Sequence, residues 1–134
     1  MCNCIFCKII KGEIPSYKIY EDEKTLAFLD ISEDIDGHTL VIPKVHCTNI
    51  LDCPAEYLGS VMHTVQAVSK HYIECGYDGI NLLNANNETA GQSVFHLHIH
   101  IIPRKAGDGE HTWPEFTGAK HTLGEMYDKL KMTK

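Results

Sequence analysis

Val94-Phe95-His96-Leu97-His98-Ile99-His100-Ile101-Ile102 decides how this chain folds: three histidines alternate in it with apolar residues, and Gly91-Gln92-Ser93 stands just before them. A β-strand sends successive side chains to opposite faces. The stretch therefore predicts an extended strand with Phe95, Leu97, Ile99 and Ile101 in the core and His96, His98 and His100 sharing the other face. A helix would scatter the same imidazoles around its circumference. At a strand rise of ~3.3 Å per residue, neighbouring histidines in the row lie roughly 6.5–7 Å apart, which suits an anion the size of phosphate. Zinc is the rival ligand, since two or three histidines on one strand with an open position build a catalytic metal site. The third reading is a structural strand face. Spacing alone leaves all three open.

The flanking sequence supplies the rest of a small domain. Residues 5–11 predict a short helix with Phe6, Ile9 and Ile10 on one side, ended by Gly12 and Pro15. Residues 17–21 and 25–29 read as two strands of a hairpin around the acidic turn Glu21-Asp22-Glu23-Lys24. A third strand is expected at 39–42, stopped by Pro43. From about 54 to 75 the period becomes helical, with Leu58, Val61, Met62, Val65, Val68 and Tyr72 recurring at three and four residues as a core stripe. His63 and His71 fall off that stripe and are expected in solvent. Residues 79–84 make a fourth strand, and a polar loop at 85–91 returns into the histidine strand. After Pro103-Arg104 comes a loop rich in Gly, Pro and charge, then a terminal helix over 121–132 with Leu123, Met126, Tyr127 and Leu130 inward. Hairpin-linked strands, one long helix and short flanking helices define an α+β domain with an antiparallel sheet of about five strands.

Composition narrows the function. The 134 residues suit one domain, and 12 basic against 18 acidic side chains give −6, which argues against a broad nucleic-acid surface. No apolar run approaches the ~20 residues of a membrane span, and the start lacks a secretory stretch, so a cytoplasmic protein is expected. Cysteines at 2, 4, 7, 47, 53 and 75 do not form a small disulfide scaffold, and the last three read as ordinary thiols. Cys4-Ile5-Phe6-Cys7 fits a redox pair, a zinc half-site or neither. A thioredoxin-like pair wants a strand before it, and no strand pattern precedes this one. Phe28 beside Asp30 suits a nucleoside, with the ring against a base and the carboxylate on ribose hydroxyls. Read singly, Asp30 is a turn residue, His38 a loop histidine, Asn84 a strand terminator and Trp113 a cap on its own core.

Two blocks carry a family resemblance. Gln92 through Ile102 resembles the signature of the histidine triad (HIT) nucleotide hydrolases and transferases. Phe28-Leu29-Asp30-Ile31 followed by Gly37-His38-Thr39-Leu40-Val41-Ile42-Pro43-Lys44 resembles the same family's upstream half. The likeness runs from about Cys4 to Arg104 within a single domain over 1–134, leaving 105–134 as a C-terminal loop and helix.

The resemblance implies a HIT-like fold, a homodimer, and attack on the α-phosphate of a purine nucleotide or nucleotide conjugate. His98 takes the nucleophile position, its second nitrogen held by a backbone carbonyl near the third histidine, and His38 and His100 bind phosphoryl oxygens. Ser93 serves the leaving group, Gln92 the phosphate, Asn84 phosphate or ribose, and Asp30 the ribose. Phe6, Ile9, Phe28 and Ile31 form the base pocket. Cys4, Cys7, His46 and His96 correspond to the closed Cys₂His₂ zinc site of one branch, structural because no position stays open; Cys2 is a substitute for Cys4. No catalytic metal is implied. Trp113 is expected to lie either against a partner subunit or in its own core.

The nearest resemblance is to purine nucleoside phosphoramidases. Ile101-Ile102-Pro103-Arg104 departs from their Gly-Gly sequence, and the dinucleoside polyphosphate hydrolase branch carries the same Pro-Arg. Hydrolysis of a dinucleoside polyphosphate is therefore an alternative activity. A nucleotide-binding regulatory module and a zinc store are alternatives of other classes.

Overall fold

Short apolar runs whose successive side chains point to opposite faces build the centre of the sheet. In the computed structural model, which describes residues 3–132, the elements are α1 (Ile5–Ile10), β1 (Lys18–Glu21), β2 (Thr25–Leu29), β3 (Thr39–Pro43), α2 (Ala55–Glu74), β4 (Gly79–Leu83), β5 (Ile99–Arg104) and α3 (Leu123–Leu130). The Cys2 substitution falls outside the described residues. The five strands pair antiparallel in the order β1-β2-β3-β5-β4, so the histidine strand inserts between β3 and β4 after the chain has crossed over through α2. This is the α+β architecture expected.

Both faces of the central strands β2 and β3 are covered. Ala27, Val41, Ile99 and Ile101 meet Val61, Val65, Val68 and Tyr72 of α2. Leu26, Phe28, Leu40 and Ile42 point the other way and meet Phe6 and Ile9 of α1. Each Val, Leu, Ile or Phe side chain so removed from water contributes roughly 1.5–3 kcal/mol, which fixes the register because a slip of one residue would turn every side chain over. Two buried hydroxyl contacts pin α2 to the sheet: Thr25 Oγ1 to Thr64 Oγ1 at 2.7 Å and Thr39 Oγ1 to Tyr72 Oη at 2.6 Å. Among the described residues no helix is long and apolar enough to cross a membrane.

Three expectations about the histidine strand and the long helix need correction. The histidine strand begins at Ile99 rather than Val94, because residues 94–96 bend. There the chain leaves the ladder to follow the segment after β3, with Leu97 N–H donating to Cys47 O at 2.9 Å. Leu97 still enters a core, beside Cys47 and Cys53, but the bend turns Phe95 outward to 48% exposure. Met62 leaves the α2 stripe and lines an open groove with Val65, Ile73, Ile80 and Leu82, since β4 is the sheet edge and nothing in the described chain covers it.

The terminal helix forms but buries no stripe. A capping box between Thr122 and Glu125 starts α3, while Leu123, Tyr127 and Leu130 remain exposed because the helix does not lie on the sheet. Trp113 is 78% exposed and does not cap its own core.

Candidate active site

Pairing of β2, β3 and β5 places Phe28, Leu40 and His100 in one row on the α1 face, because each is the cross-strand partner of the next. From above, Phe6 of α1 stands edge-on to Phe28 at 5.6 Å, to His96 at 5.8 Å and to His98 at 5.1 Å between ring centroids. Phe6, Ile9 and Phe28 are thus buried beside the histidine row, whereas Ile31 is 82% exposed. Ile31 lies with Asp30, His38 and Tyr17 at the mouth of a cavity of about 300 Å³.

His98 is held in one tautomer. Its Nδ1–H donates to the His96 carbonyl at 2.7 Å, which leaves Nε2 with the lone pair. The anchoring carbonyl belongs to the first histidine of the row, not to the neighbourhood of the third. Burial pushes the His98 pKa below the ordinary 6.5 and favours the neutral ring. The His98 carbonyl in turn accepts from Asn84 Nδ2 at 2.9 Å, so Asn84 braces the backbone of the central histidine.

His100, His38 and Asp34 form a chain. His38 Nδ1–H donates to Asp34 Oδ1 at 2.8 Å, and His38 Nε2 shares a hydrogen bond with His100 Nδ1 at 2.8 Å. Asp30 Oδ2 stands 3.5 Å from His38 Nε2, and its Oδ1 accepts from Ser32 N–H at 3.0 Å. Burial pushes the His100 pKa down to about 4, with the neighbouring imidazoles of His98 and His38 acting in the same direction. Gly37 makes the approach of His38 possible: it has φ +80°, and a Cβ there would stand 2.8 Å from Pro103 Cγ.

The loop before the row is locked from within. Gln92 is buried, and its amide donates to Thr48 O and Val94 O while accepting from Asn49 Nδ2 and Asn87 N–H. All its hydrogen-bonding positions are filled by the chain. Ser93, next to it, is exposed. Arg104 is likewise engaged: it forms a paired contact with Asp108 through Nε and Nη2, both at 2.8 Å, and donates to Asn81 Oδ1 at 2.7 Å, bracing the loop after β5.

On the far side of the row, Cys4, Cys7, His46 and His96 converge, their ligand atoms all within 4.8 Å of one another. The Sγ to Nδ1 distances are 3.4 Å for Cys4–His96, 3.3 Å for Cys7–His46 and 3.6 Å for Cys7–His96. Ligands on one tetrahedral zinc, with Zn–S of ~2.3 Å and Zn–N of ~2.05 Å, stand about 3.5 Å apart. The donor set fits zinc in chemistry and in size. His96 completes the match through Nε2–H, which donates to Pro43 O at 2.9 Å as an orienting contact behind the ligand.

Sequence reasoning missed Asp34, the amides of Asn49 and Asn87, and Asn86, whose Nδ2 donates to Asn84 Oδ1 at 2.6 Å. Asp34 lies four residues before His38, but it reaches the imidazole only through the fold of a loop. Asn86 and Asn87 show only as part of a polar tract, and Asn49 stands apart from it in the sequence.

Fold and site together define a class: a small α+β domain in which buried imidazoles in a row adjoin a Cys₂His₂ cluster. The chain belongs to the HIT family, whose domain matches residues 11–107. It is similar to a Bacillus subtilis protein named hit, 54% identical over 110 residues, covering 80% of this chain and 75% of that protein. It is also similar to an adenosine 5′-monophosphoramidase of Saccharomyces cerevisiae, 43% identical over 129 residues, covering 95% of this chain and 80% of that enzyme. Among solved structures, a Streptococcus mutans protein superposes with a TM-score of 0.85 at 41% identity, covering 97% of this chain and 84% of that one. A zinc-bound histidine triad protein from Mycobacterium smegmatis gives 0.78 at 37% identity, covering 84% and 83%.

Proposed function

We propose that this chain is a nucleotide hydrolase that attacks the α-phosphate of purine nucleoside phosphoramidates or related nucleotide conjugates. The observation that carries the reading is the fixed tautomer of His98, which leaves an unprotonated, buried nitrogen as a nucleophile at neutral pH. The similarity to an adenosine 5′-monophosphoramidase supports the choice of leaving group.

In this reading the His98 Nε2 lone pair attacks phosphorus, and an N–P bond forms as the bond to the amine breaks. His38 and His100 receive the phosphoryl oxygens as charge concentrates there, in a site already ordered by Asp34 and Asn84. Asp30 takes the ribose hydroxyls, Ser93 donates a hydrogen bond to the leaving group, and Phe6, Ile9, Phe28 and Ile31 form the walls for the base. Gln92 and Asn84 act through the backbone they brace, since their amides are engaged within the chain. Water then cleaves the N–P bond and releases the nucleoside monophosphate.

Cys4, Cys7, His46 and His96 would hold zinc, which when bound supplies a crosslink between α1 and the histidine segment rather than Lewis-acid chemistry. The apolar groove of α2 and β4, together with the exposed α3 and Trp113, supports a homodimer, and a cytoplasmic location agrees with the composition.

The test is release of AMP from adenosine 5′-phosphoramidate. His98→Ala is expected to lower turnover by roughly 10⁴-fold or more while leaving AMP binding in place. The intact chain is expected to keep its activity under mild chelation. Activity that survives in His98→Ala, or that disappears reversibly with metal while the fold persists, would overturn covalent histidine catalysis.

A further inference from the structure

The Cys₂His₂ cluster is one of two groups in which metal-ligating side chains converge among the described residues; the other is Asp30, His38 and His100. We propose that this second group is a regulatory site for a divalent transition cation of the Zn²⁺ class, which excludes nucleotide when it binds. The exclusion rests on the assignment of these three residues to ribose and phosphate given above; the cation site itself does not.

The donor set is two imidazoles and one carboxylate. Its ligand atoms lie within 4.8 Å of one another, with His38 Nε2 2.8 Å from His100 Nδ1 and 3.5 Å from Asp30 Oδ2. Nitrogen ligands on a tetrahedral ion at ~2.05 Å stand about 3.3 Å apart, so the two imidazoles need to part by only about 0.5 Å. The Asp30 oxygen is already at the required separation. Binding leaves the His38 Nδ1–H on Asp34 and requires the His100 proton to move from Nδ1, where it lies between the two rings, to Nε2, so that His38 Nε2 and His100 Nδ1 both face the ion.

Asp34 supplies the second observation. Its carboxylate accepts from His38 Nδ1–H at 2.8 Å, the carboxylate–histidine–metal arrangement that orients a ligating imidazole and raises its basicity. Three protein ligands leave one tetrahedral position open, which separates this site from the closed Cys₂His₂ cluster. Imidazole ligation favours Zn²⁺, Co²⁺, Ni²⁺ and Cu²⁺ over Mg²⁺ and Ca²⁺, which prefer all-oxygen shells. A bound ion uses His38 Nε2, His100 Nδ1 and Asp30 Oδ2 together. Ribose and phosphoryl oxygens then lose their partners.

Titration of the metal-free full chain with Co²⁺ tests this. The first equivalent is expected to bring thiolate-to-cobalt charge-transfer absorption from Cys4 and Cys7, and a second equivalent to add d–d absorption without further charge transfer. Asp30→Asn and, separately, His100→Gln are expected to weaken the second equivalent at least tenfold and leave the thiolate band unchanged, which also reports that each variant has folded. Saturating AMP is expected to weaken the second equivalent at least tenfold. One equivalent only, or a second that neither variant weakens, would overturn the site. AMP that binds the one-cobalt chain without weakening the second equivalent would overturn the exclusion. Calorimetry of AMP with the metal-free chain separates the two ideas: if AMP does not bind there, the nucleotide assignment fails while the cation site stands on its own titration.

Discussion

His96 does three things with one residue. Its Nδ1 faces the cysteine thiols, its Nε2–H holds Pro43 O, and its carbonyl fixes the tautomer of His98. It is fully buried, and burial pushes its pKa down to about 4. His100 is lowered to about 4 as well, against 6.5 for a free histidine. Between those values the unfolded chain holds protons that the folded chain does not, so stability must fall as pH drops from about 6.5 towards 4. Above about 6.5 both states are neutral at these positions, and their contribution no longer changes. Urea midpoints of the chelator-treated chain should therefore be level from pH 8 to 7 and decline steadily below 6.5. A midpoint that rises on acidification would contradict the burial of neutral imidazoles. The roles of His38 and His98 rest on the row and the family pattern, both written in the sequence. The grip of Asp34 on His38 is not, because it depends on how residues 30–38 turn back on themselves.

At the level of elements, the apolar runs of β2 and β3, the alternation carried into β5 and, apart from Met62, the 3.6-residue stripe of α2 were legible because each supplies buried faces of the core. The bend at 94–96 was not legible, since alternation of residue type runs straight through it and only the competing contacts to Pro43 and Cys47 end the ladder. The α3 stripe shows the same limit from the other direction. An amphipathic pattern states that one face needs cover, not which surface covers it. The turn into β3 gives a sharp prediction. Gly37 combines a left-handed backbone with a Cβ position blocked by Pro103, so Gly37→Ala should cost about 1–3 kcal/mol and lower Tm by several degrees. Differential scanning calorimetry reads this directly, and an unchanged Tm would mean that the turn relaxes without cost. The same substitution should also reduce turnover, because His38 follows immediately.

For the molecule as a whole, two regions among those that leave apolar surface open bear on assembly: the edge formed by α2 and β4, and the C-terminal tail. Ile73, Leu82 and Leu83 are 46%, 45% and 51% exposed on the former, and Trp113, Phe116 and Leu130 are 78%, 80% and 63% exposed on the latter. Contiguous apolar surface of this kind marks association. If the edge joins two copies, the double variant Ile73→Lys with Leu82→Lys should sediment as a monomer where the intact chain sediments as a dimer. An intact chain that is monomeric at micromolar concentration would remove the homodimer reading. Trp113 also sets what light can report about this protein. It is the one tryptophan in the chain, and it stands in water on the tail rather than in the core. Its emission should be red in the isolated protomer and nearly indifferent to global unfolding, which is better followed by circular dichroism, yet it should shift to the blue whenever the tail is covered. If assembly covers the tail, Trp113 is an intrinsic fluorescent gauge of that assembly and is largely blind to folding.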